Sequence, residues 1–305
     1  MDSTVAMSTL SPTTSSMMTV TTVKPQNDTE YHTLLLIVYS VVLLAGTISL
    51  SLMIHIMKSS TFSTTSIAVL NLIFAHFIFL LTVPFRIYYY ATHRWSLGQG
   101  WCKMVSSMIH IHMYMSFIFY VIILITRLLT FYNKTGRVAS FQRIHAFLVS
   151  AVVWIVLLVV VPCIIHFKYG KDHEEANNTS TLCFKFAKNI ESAEEFNYIA
   201  STLIIFVAIT LTALQAKVLW VLYRKHHQGC ISQQDFGAQL KSLCFALIMV
   251  ICLVPYHIFR LYYVSHIDLQ GINEVFLSLT TFNCLDMLTF LGRRTCNFCF
   301  PGRGA

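Results

Sequence analysis

Two closely spaced histidines are the first residues whose types could support chemistry. His110 and His112 form a His-x-His pair, a pattern that can bind zinc. Residues two apart on a helix point to different sides, however, and a zinc site needs three or four convergent ligands. The sequence also contains neither His-Glu-x-x-His nor Gly-x-Ser-x-Gly, the patterns of zinc proteases and serine hydrolases. We therefore expect no metal site, no resident cofactor and no enzymatic activity.

Four basic side chains mark a candidate anion site: Arg86, His110, His257 and Arg260. His257 and Arg260 are three residues apart, so they share one face of a helix. The planar guanidinium fork of arginine suits a carboxylate or a phosphate. Together with Tyr114, these residues predict a basic, aromatic-lined pocket for an anionic ligand, either a lipid acid or a nucleotide. The alternative is that Arg86 and Arg260 extend towards lipid headgroups.

The composition indicates a membrane protein. Of the 305 residues, 56% are apolar and 11% are charged, whereas soluble domains carry about 25% charged residues. The formal net charge of +8 would also suit a nucleic-acid-binding protein, but the basic residues do not form the patch that such a protein needs. We therefore expect a lipid bilayer, and not a nucleic acid, as a partner of the chain.

Seven segments can cross a bilayer, which requires about 20 largely apolar residues in a helix. They cover residues 33–57, 65–90, 101–131, 142–166, 196–223, 239–264 and 272–291. They predict an all-α membrane protein, a seven-transmembrane helix bundle that occupies residues 33–292. Residues 1–32 are rich in Ser and Thr and are predicted to form a disordered tail, with a second, short tail at residues 293–305.

The distribution of charge predicts the orientation of this bundle. Most Lys and Arg residues fall on the side opposite the N-terminus, and most acidic residues fall on the N-terminal side. Because basic loops remain cytoplasmic, the first tail is predicted to be extracellular and the C-terminus cytoplasmic. The sequons at Asn27, Asn177 and Asn178 would then lie outside, where glycosylation occurs. Cys296 and Cys299 follow the last segment and are candidates for palmitoylation.

Two cysteines fall on the predicted extracellular side. Cys102 begins the third segment, and Cys183 lies in the long loop before the fifth. Because that compartment is oxidising, we expect a disulfide between them; two free thiols are the alternative. The disulfide would hold the loop over the outer end of the third helix.

Several motifs, in order along nearly the whole helical region, resemble the rhodopsin-like (class A) family of G-protein-coupled receptors. They are Trp95-Ser96-Leu97-Gly98 before Cys102, Thr126-Arg127-Leu128, Trp154, Asn71-Leu72, the stretch 80–85, Cys252 to His257, and Asn283 to Asp286. The sixth and seventh segments look like the purinergic and lipid-receptor branch. The resemblance implies a multi-pass plasma-membrane receptor that binds an extracellular ligand and activates heterotrimeric G proteins.

The resemblance also implies a polar group in the core. In the family, the positions of His76, Ser116, Asn283 and Asp286 surround a sodium ion, but the family's aspartate is replaced here by His76. An ionisable group inside a membrane is costly and is usually paired. Either the His76 imidazolium and the Asp286 carboxylate replace the sodium ion, or a neutral His76 is hydrogen-bonded in the core.

The family's activation switch is present with changes. Thr126 replaces the acidic residue that usually restrains the next arginine, Arg127. Asp235, at the inner start of the sixth segment, is predicted to contact Arg127 in the resting state; the alternative is a solvated acid. Pro255 removes a backbone hydrogen bond and predicts a hinge. Movement at this hinge would open a crevice for a helix of the G protein.

Other functions remain as alternatives to an anion-activated receptor. The chain has 13 histidines, and several of them, such as His32, fall on the predicted outer side. Because histidine titrates near neutral pH, a proton-sensing receptor is one alternative. An intramembrane enzyme is a second. A transporter is a third, and it would show two related halves with broken helices, which the sequence does not.

Overall fold

The computed structural model describes residues 26–57, 64–132, 139–169, 183–184, 194–226 and 233–290, and within these ranges the structure is built from helices. The helices are α1 (Gln26–Met57), α2 (Thr64–Thr92), α3 (Gln99–Tyr132), α4 (Ala139–Tyr169), α5 (Glu194–His226), α6 (Gln233–Tyr263) and α7 (Gln270–Leu279). A short 3₁₀ turn, Ile267–Leu269, precedes α7, and a 3₁₀ segment, Thr280–Phe290, follows it.

Two helices begin six or more residues before the predicted segments. α1 begins at Gln26, so residues 26–32 of the predicted tail are helical and the backbone of Asn27 lies in the first turn. α6 begins at Gln233 rather than at 239. Both starts carry polar residues, which a search for apolar segments leaves out although a helix can extend beyond the hydrocarbon layer.

The outward faces of the bundle are apolar. Leu44, Ile199, Phe206 and Ile251 are each more than 65% exposed, as expected for side chains that face lipid. Among the described residues, α1, α2, α3, α5 and α6 are long and apolar enough to cross a membrane, and α4 is apolar over Phe147–Cys163. Apolar exposure on this scale excludes water as the surrounding solvent.

α3 lies at the centre of the bundle and contacts α2, α4, α5, α6 and the 3₁₀ segment. Its buried side chains recur every three or four residues along most of the helix, from Cys102 to Leu128. A second link joins α2 to α4: the Trp154 indole donates to Asn71 Oδ1 at 2.9 Å, and Asn71 Nδ2 donates to Ser150 Oγ at 3.1 Å. The Asn71 and Trp154 motifs are therefore packing elements.

The start of α3 is fixed by a tight turn and a disulfide. Gly98 has a φ of 82°, which glycine adopts without steric cost. Its carbonyl oxygen accepts from the Trp95 indole at 2.7 Å and from the Cys102 amide at 3.2 Å. Cys102 forms a disulfide with Cys183, with a Cα–Cα distance of 5.7 Å. We refer to this side of the bundle as the disulfide end, and to the opposite side as the Arg127 end.

Candidate ligand cavity and buried polar cluster

A cavity of about 360 Å³ lies between α3, α4, α5, α6 and α7 near the disulfide end. Most of its wall is apolar, and six of its polar or titratable side chains face the same space: His110, Tyr114, Asn197, Arg260, Asn273 and Glu274. The third helix supplies the first two, and the last three helices of the bundle supply the others. We call this space the α3–α7 cavity.

Arg260 is the best-defined cation of this cavity. Its Nε and Nη2 donate to Asn197 Oδ1 at 3.2 and 3.1 Å, and its Nη1 donates to Asn273 Oδ1 at 3.3 Å. Its guanidinium also lies 5.4 Å from the centre of the Tyr263 ring. The two amide oxygens therefore fix the orientation of the guanidinium at the cavity wall.

Arg86, the other arginine of the predicted pocket, is placed differently. It is 1% exposed, and it donates to Val105 O at 3.1 Å and to the Tyr39 hydroxyl at 3.3 Å. The Phe184 ring covers it at 4.5 Å. Within the described part of the chain, Arg86 is not among the residues that line the cavity. The structure therefore fits neither the predicted place of Arg86 in the pocket wall nor the alternative that it extends towards lipid headgroups, because its guanidinium is held inside the bundle.

Phe184 connects the disulfide to this arginine. It follows Cys183 and has a φ of 65°, a conformation that bulky residues rarely adopt. Its ring contacts the rings of Tyr89, Tyr90 and Trp95, and its carbonyl oxygen accepts from Gln270 at 3.1 Å. The disulfide therefore holds an aromatic side chain over Arg86 and ties the loop to α7.

Glu274 brings a negative charge to the cavity. It lines the α3–α7 cavity and interacts electrostatically with both Arg86 and Arg260. The sequence analysis did not predict this acid as a pocket residue, nor Asn197 and Asn273. A signal was available, because Glu274 lies inside the apolar segment 272–291, where an ionisable group is usually paired.

The two predicted pocket histidines take separate places. His110 lines the cavity with Tyr114. His257 is buried, and its Nδ1 lies 3.1 Å from Ser201 Oγ on α5. In the described part of the chain, His257 is not part of the cavity wall. Of the five predicted pocket residues, the structure therefore places His110, Tyr114 and Arg260 in the cavity wall. Arg86 and His257 are not among the described residues that line it.

The side of the cavity between α4 and α5 is apolar. Leu157 and Val160 of α4 and Phe196 and Leu203 of α5 line it. Val160, Phe196 and Leu203 are also exposed on the outside of the bundle. Among the described residues, α4 and α5 make almost no close backbone contact with each other, although α3 contacts both. The cavity is therefore bordered by side chains that also face the bilayer.

A second polar group lies in the middle of the bundle and is sealed from the surface. It consists of His76, His112, Tyr120, Cys284 and Asp286, all at most 1% exposed. His76 Nε2 lies 3.3 Å from both oxygens of Asp286. The Tyr120 hydroxyl donates to Asp286 Oδ2 at 2.6 Å. His76 Nδ1 lies 2.8 Å from His112 Nε2. We call these five residues the core cluster.

The predicted core set and the observed cluster overlap in His76 and Asp286. Ser116 and Asn283 are also fully buried, but their side chains have no hydrogen-bond partner among the described residues. His112, Tyr120 and Cys284 were not predicted. His112 faces α2 and packs against Phe79 at 4.3 Å, whereas His110 faces the cavity, as expected for residues two apart on a helix.

The predicted switch residues lie on α3 and α6. Thr126 and Arg127 are half-buried near the end of α3, and Thr126 O accepts from the Thr130 hydroxyl at 2.8 Å. Pro255 lies inside α6, where it leaves the carbonyl of the preceding turn without its helical donor. The backbone of Asp235 lies in the first turn of α6, but its side chain is outside the described residues. The predicted Arg127–Asp235 contact stays a prediction.

Several predicted modification sites also lie outside the described residues. These are Asn177, Asn178, Cys296, Cys299 and the side chain of Asn27. Their glycosylation and palmitoylation stay predictions.

Comparison with known proteins adds a family and three informative relatives. Residues 49–289 match the family described as 7 transmembrane receptor (rhodopsin family). Probable G-protein coupled receptor 141 of Homo sapiens is 37% identical over 268 residues, which cover 84% of this chain and 87% of that protein. Lysophosphatidic acid receptor 6 of Mus musculus is 30% identical over 191 residues, 61% of this chain and 53% of that protein. 2-oxoglutarate receptor 1 of Rattus norvegicus is 22% identical over 231 residues, 73% of this chain and 66% of that protein.

Proposed function

The chain belongs to the rhodopsin family of seven-transmembrane receptors, and we propose that its extracellular ligand is an anionic lipid bound in the α3–α7 cavity. As a member of that family it is a multi-pass plasma-membrane receptor that acts through G proteins and is not an enzyme. The predictions of a seven-helix bundle, of a receptor and of a non-enzyme are thereby confirmed.

The proposed orientation places the disulfide end outside the cell and the Arg127 end in the cytoplasm. The bias of Lys and Arg towards one side of the bundle supports it. The ligand would bind near α6 and α7, on the outer side of Pro255. G-protein binding at the Arg127 end would then be coupled to ligand binding through the outer and inner halves of α6.

The position of Arg260 carries the proposal that the ligand is an anion. Two asparagine oxygens hold its fork against the cavity, and Arg86 adds a second positive charge nearby. Glu274 offsets only one of the two charges. A carboxylate or phosphate that reaches Arg260 would form charge-assisted hydrogen bonds, and such bonds are strongest where water is excluded.

The apolar wall between α4 and α5 supports a lipid rather than a nucleotide. An acyl chain could lie along Leu157, Val160 and Leu203 while its headgroup contacts Arg260. The names of two relatives support an anionic ligand, because lysophosphatidic acid and 2-oxoglutarate are both anions at neutral pH. Of these two, only lysophosphatidic acid also has an acyl chain.

The test is G-protein activation by a ligand panel with matched acyl chains. A lysophosphatidic acid and a fatty acid are compared with the neutral monoacylglycerol of the same chain, with 2-oxoglutarate and with a nucleotide. We expect a response to the anionic lipids and none to the neutral lipid. Arg260→Ala should weaken the response about 30-fold, because hydrogen bonds to charged groups contribute about 1.5–3 kcal/mol.

Arg94→Ala is the matched control, because Arg94 is an exposed arginine at the same end of the bundle. It should leave the concentration dependence unchanged at equal surface expression. An equal response to the neutral and anionic lipids, or an unchanged response in Arg260→Ala, would contradict the proposal.

A proton-sensing receptor remains the second candidate because of one observation. His32 on α1 and His93 after α2 stack at 4.6 Å, with their Nδ1 atoms 2.8 Å apart. If both rings were protonated their charges would repel, so acid would separate α1 from the end of α2. Signalling that follows external pH in Arg260→Ala but not in His93→Asn would favour this candidate over the anionic lipid.

A further inference from the structure

We propose that His76, His112 and Cys284 form a zinc-binding site inside the bundle, with Asp286 as the outer partner of His76. The three donor side chains come from α2, α3 and the 3₁₀ segment, and their ligand atoms all lie within 4.8 Å of one another. The proposal is independent of the lipid ligand. It differs from the sequence-based expectation of no metal site, which considered His112 only together with His110.

The three donor atoms lie close enough together to bind one metal ion after small rotations of the side chains. His76 Nδ1 and His112 Nε2 are 2.8 Å apart, and Cys284 Sγ is 3.6 Å from His112 Nε2. Zinc binds imidazole nitrogen at about 2.0–2.1 Å and thiolate sulfur at about 2.3 Å, so tetrahedral ligands are separated by about 3.3 Å (N–N) and about 3.6 Å (N–S). Small rotations of the two rings would open the shorter distance to the required value.

The donor atoms select the type of metal. Two imidazoles and one thiolate suit zinc, whereas a hard cation such as sodium or calcium prefers oxygen ligands. The family's sodium position has a histidine here instead of an aspartate, which removes an oxygen donor and adds a nitrogen donor. The residues that depart from the family pattern therefore shift the preference of the site from a hard to a borderline cation.

Asp286 would support the zinc site as the hydrogen-bond partner of His76 and not as a metal ligand. It faces the Nε2 atom of His76, the nitrogen that points away from the other donors. The second ring N–H of a metal-bound histidine usually donates a hydrogen bond to a carboxylate in this way, which fixes the ring and strengthens the metal bond. Tyr120 holds the same carboxylate through its hydroxyl. Asp286 is thus a positioning residue, and Cys284 would be the negative ligand.

The charges of the loaded site would balance. Zinc brings +2, and the Cys284 thiolate and the Asp286 carboxylate bring −1 each. A neutral total matters because all of these groups are buried within the membrane region, where an unpaired charge is costly. Without the metal, His76 and Asp286 can still neutralise each other as the ion pair that the sequence suggests.

Zinc would tie together three parts of the bundle that are far apart in sequence. A ligand that binds only this arrangement stabilises it in proportion to its affinity. Zinc is therefore expected to raise the melting temperature of the receptor without any agonist, so this effect can be measured separately from the response to lipids.

The experiment uses full-length receptor in detergent, prepared from cells grown with added zinc and, in parallel, stripped with a chelator. Metal content and thermal melting are measured, and Co²⁺ replaces zinc to report thiolate ligation by its charge-transfer absorption. Wild type is compared with Cys284→Ser, His112→Asn and Asp286→Asn. Cys244→Ser is the matched control, because Cys244 lies on α6 outside the cluster.

We expect one zinc per receptor, with thiolate absorption in the wild type and in Cys244→Ser. Cys284→Ser, which hardly changes the side-chain shape, should lose the absorption and the zinc-induced rise in melting temperature. Asp286→Asn should bind zinc about 10–100-fold more weakly, as removal of such an outer partner usually does. Absence of thiolate absorption in the wild type, or its persistence in Cys284→Ser, would overturn the proposal.

Discussion

The α3–α7 cavity and the core cluster bury charge in opposite ways. In the core cluster, His76 and Tyr120 both contact Asp286 directly, and none of the three is more than 1% exposed. At the cavity, Arg260 is held by neutral asparagine oxygens beside an open space, and Glu274 counters only part of the charge. The core cluster therefore pairs its charges within the bundle, whereas Arg260 lies beside a space that the proposed anionic ligand would occupy.

The largest expected effect concerns the contribution of the His76–Asp286 pair to the stability of the bundle. His76→Leu leaves the Asp286 carboxylate buried without its cation, which should cost about 3–5 kcal/mol. For a protein of this size we expect a fall in melting temperature of about 5–10 °C, measured in chelator so that metal binding does not contribute.

Two further variants make this test specific. His55→Leu is the matched control, since His55 is an exposed histidine on α1, and it should melt like the wild type. The double variant His76→Leu/Asp286→Leu removes both charges and should recover much of the loss. Equal melting of His76→Leu and the wild type would show that the core cluster does not stabilise the bundle through this pair.

An intermediate effect is expected at the asparagines that hold Arg260. Asn197 accepts two of the hydrogen bonds from the guanidinium and Asn273 accepts one. Asn197→Ala should therefore weaken activation by an anionic lipid about tenfold, and Asn273→Ala about threefold, which corresponds to the net contribution of about 0.5–1.5 kcal/mol that a typical hydrogen bond makes. Thr202→Ala, on the exposed face of α5, should have no effect. The reverse order of the two asparagines would contradict this account of the cavity.

An effect smaller than that of Asn197→Ala, and in the opposite direction, is expected at Glu274. If it only competes with the ligand for Arg260, Glu274→Gln should strengthen activation by the anionic lipid about fivefold, since a repelling charge at a binding site costs about 1 kcal/mol or more. Glu194→Gln, an exposed acid at the start of α5, is the control. Weaker activation in Glu274→Gln would instead mean that the acid binds a cationic part of the ligand.

The sequence predicted the helices well because each one depends on a local property, the length of an apolar run. The Cys102–Cys183 disulfide was also predictable, since the two cysteines share a compartment. Helix ends were harder. The polar first turn of α6, for example, has no apolar signal, and it adds residues 233–238 to the predicted span.

The candidate sites were predicted less completely because they depend on neighbours from distant parts of the chain. Helical spacing showed that His110 and His112 face different sides, but it could not show that α2 places His76 beside His112. Arg86 was predicted to face the cavity, yet Tyr39 and the Val105 carbonyl hold it elsewhere. Contacts between helices of this kind follow from packing, which a single sequence does not reveal.

The 3₁₀ segment Thr280–Phe290 affects how far the last helix reaches. A 3₁₀ helix rises about 2.0 Å per residue and an α-helix about 1.5 Å. Residues 270–290 therefore extend about 37 Å, whereas a continuous α-helix of the same residues would extend about 32 Å, barely the hydrocarbon thickness of a bilayer. Rewinding this segment into an α-helix would shorten it by about 5 Å and turn Cys284 and Asp286 away from their partners, so the distances in the core cluster depend on the pitch of this last segment.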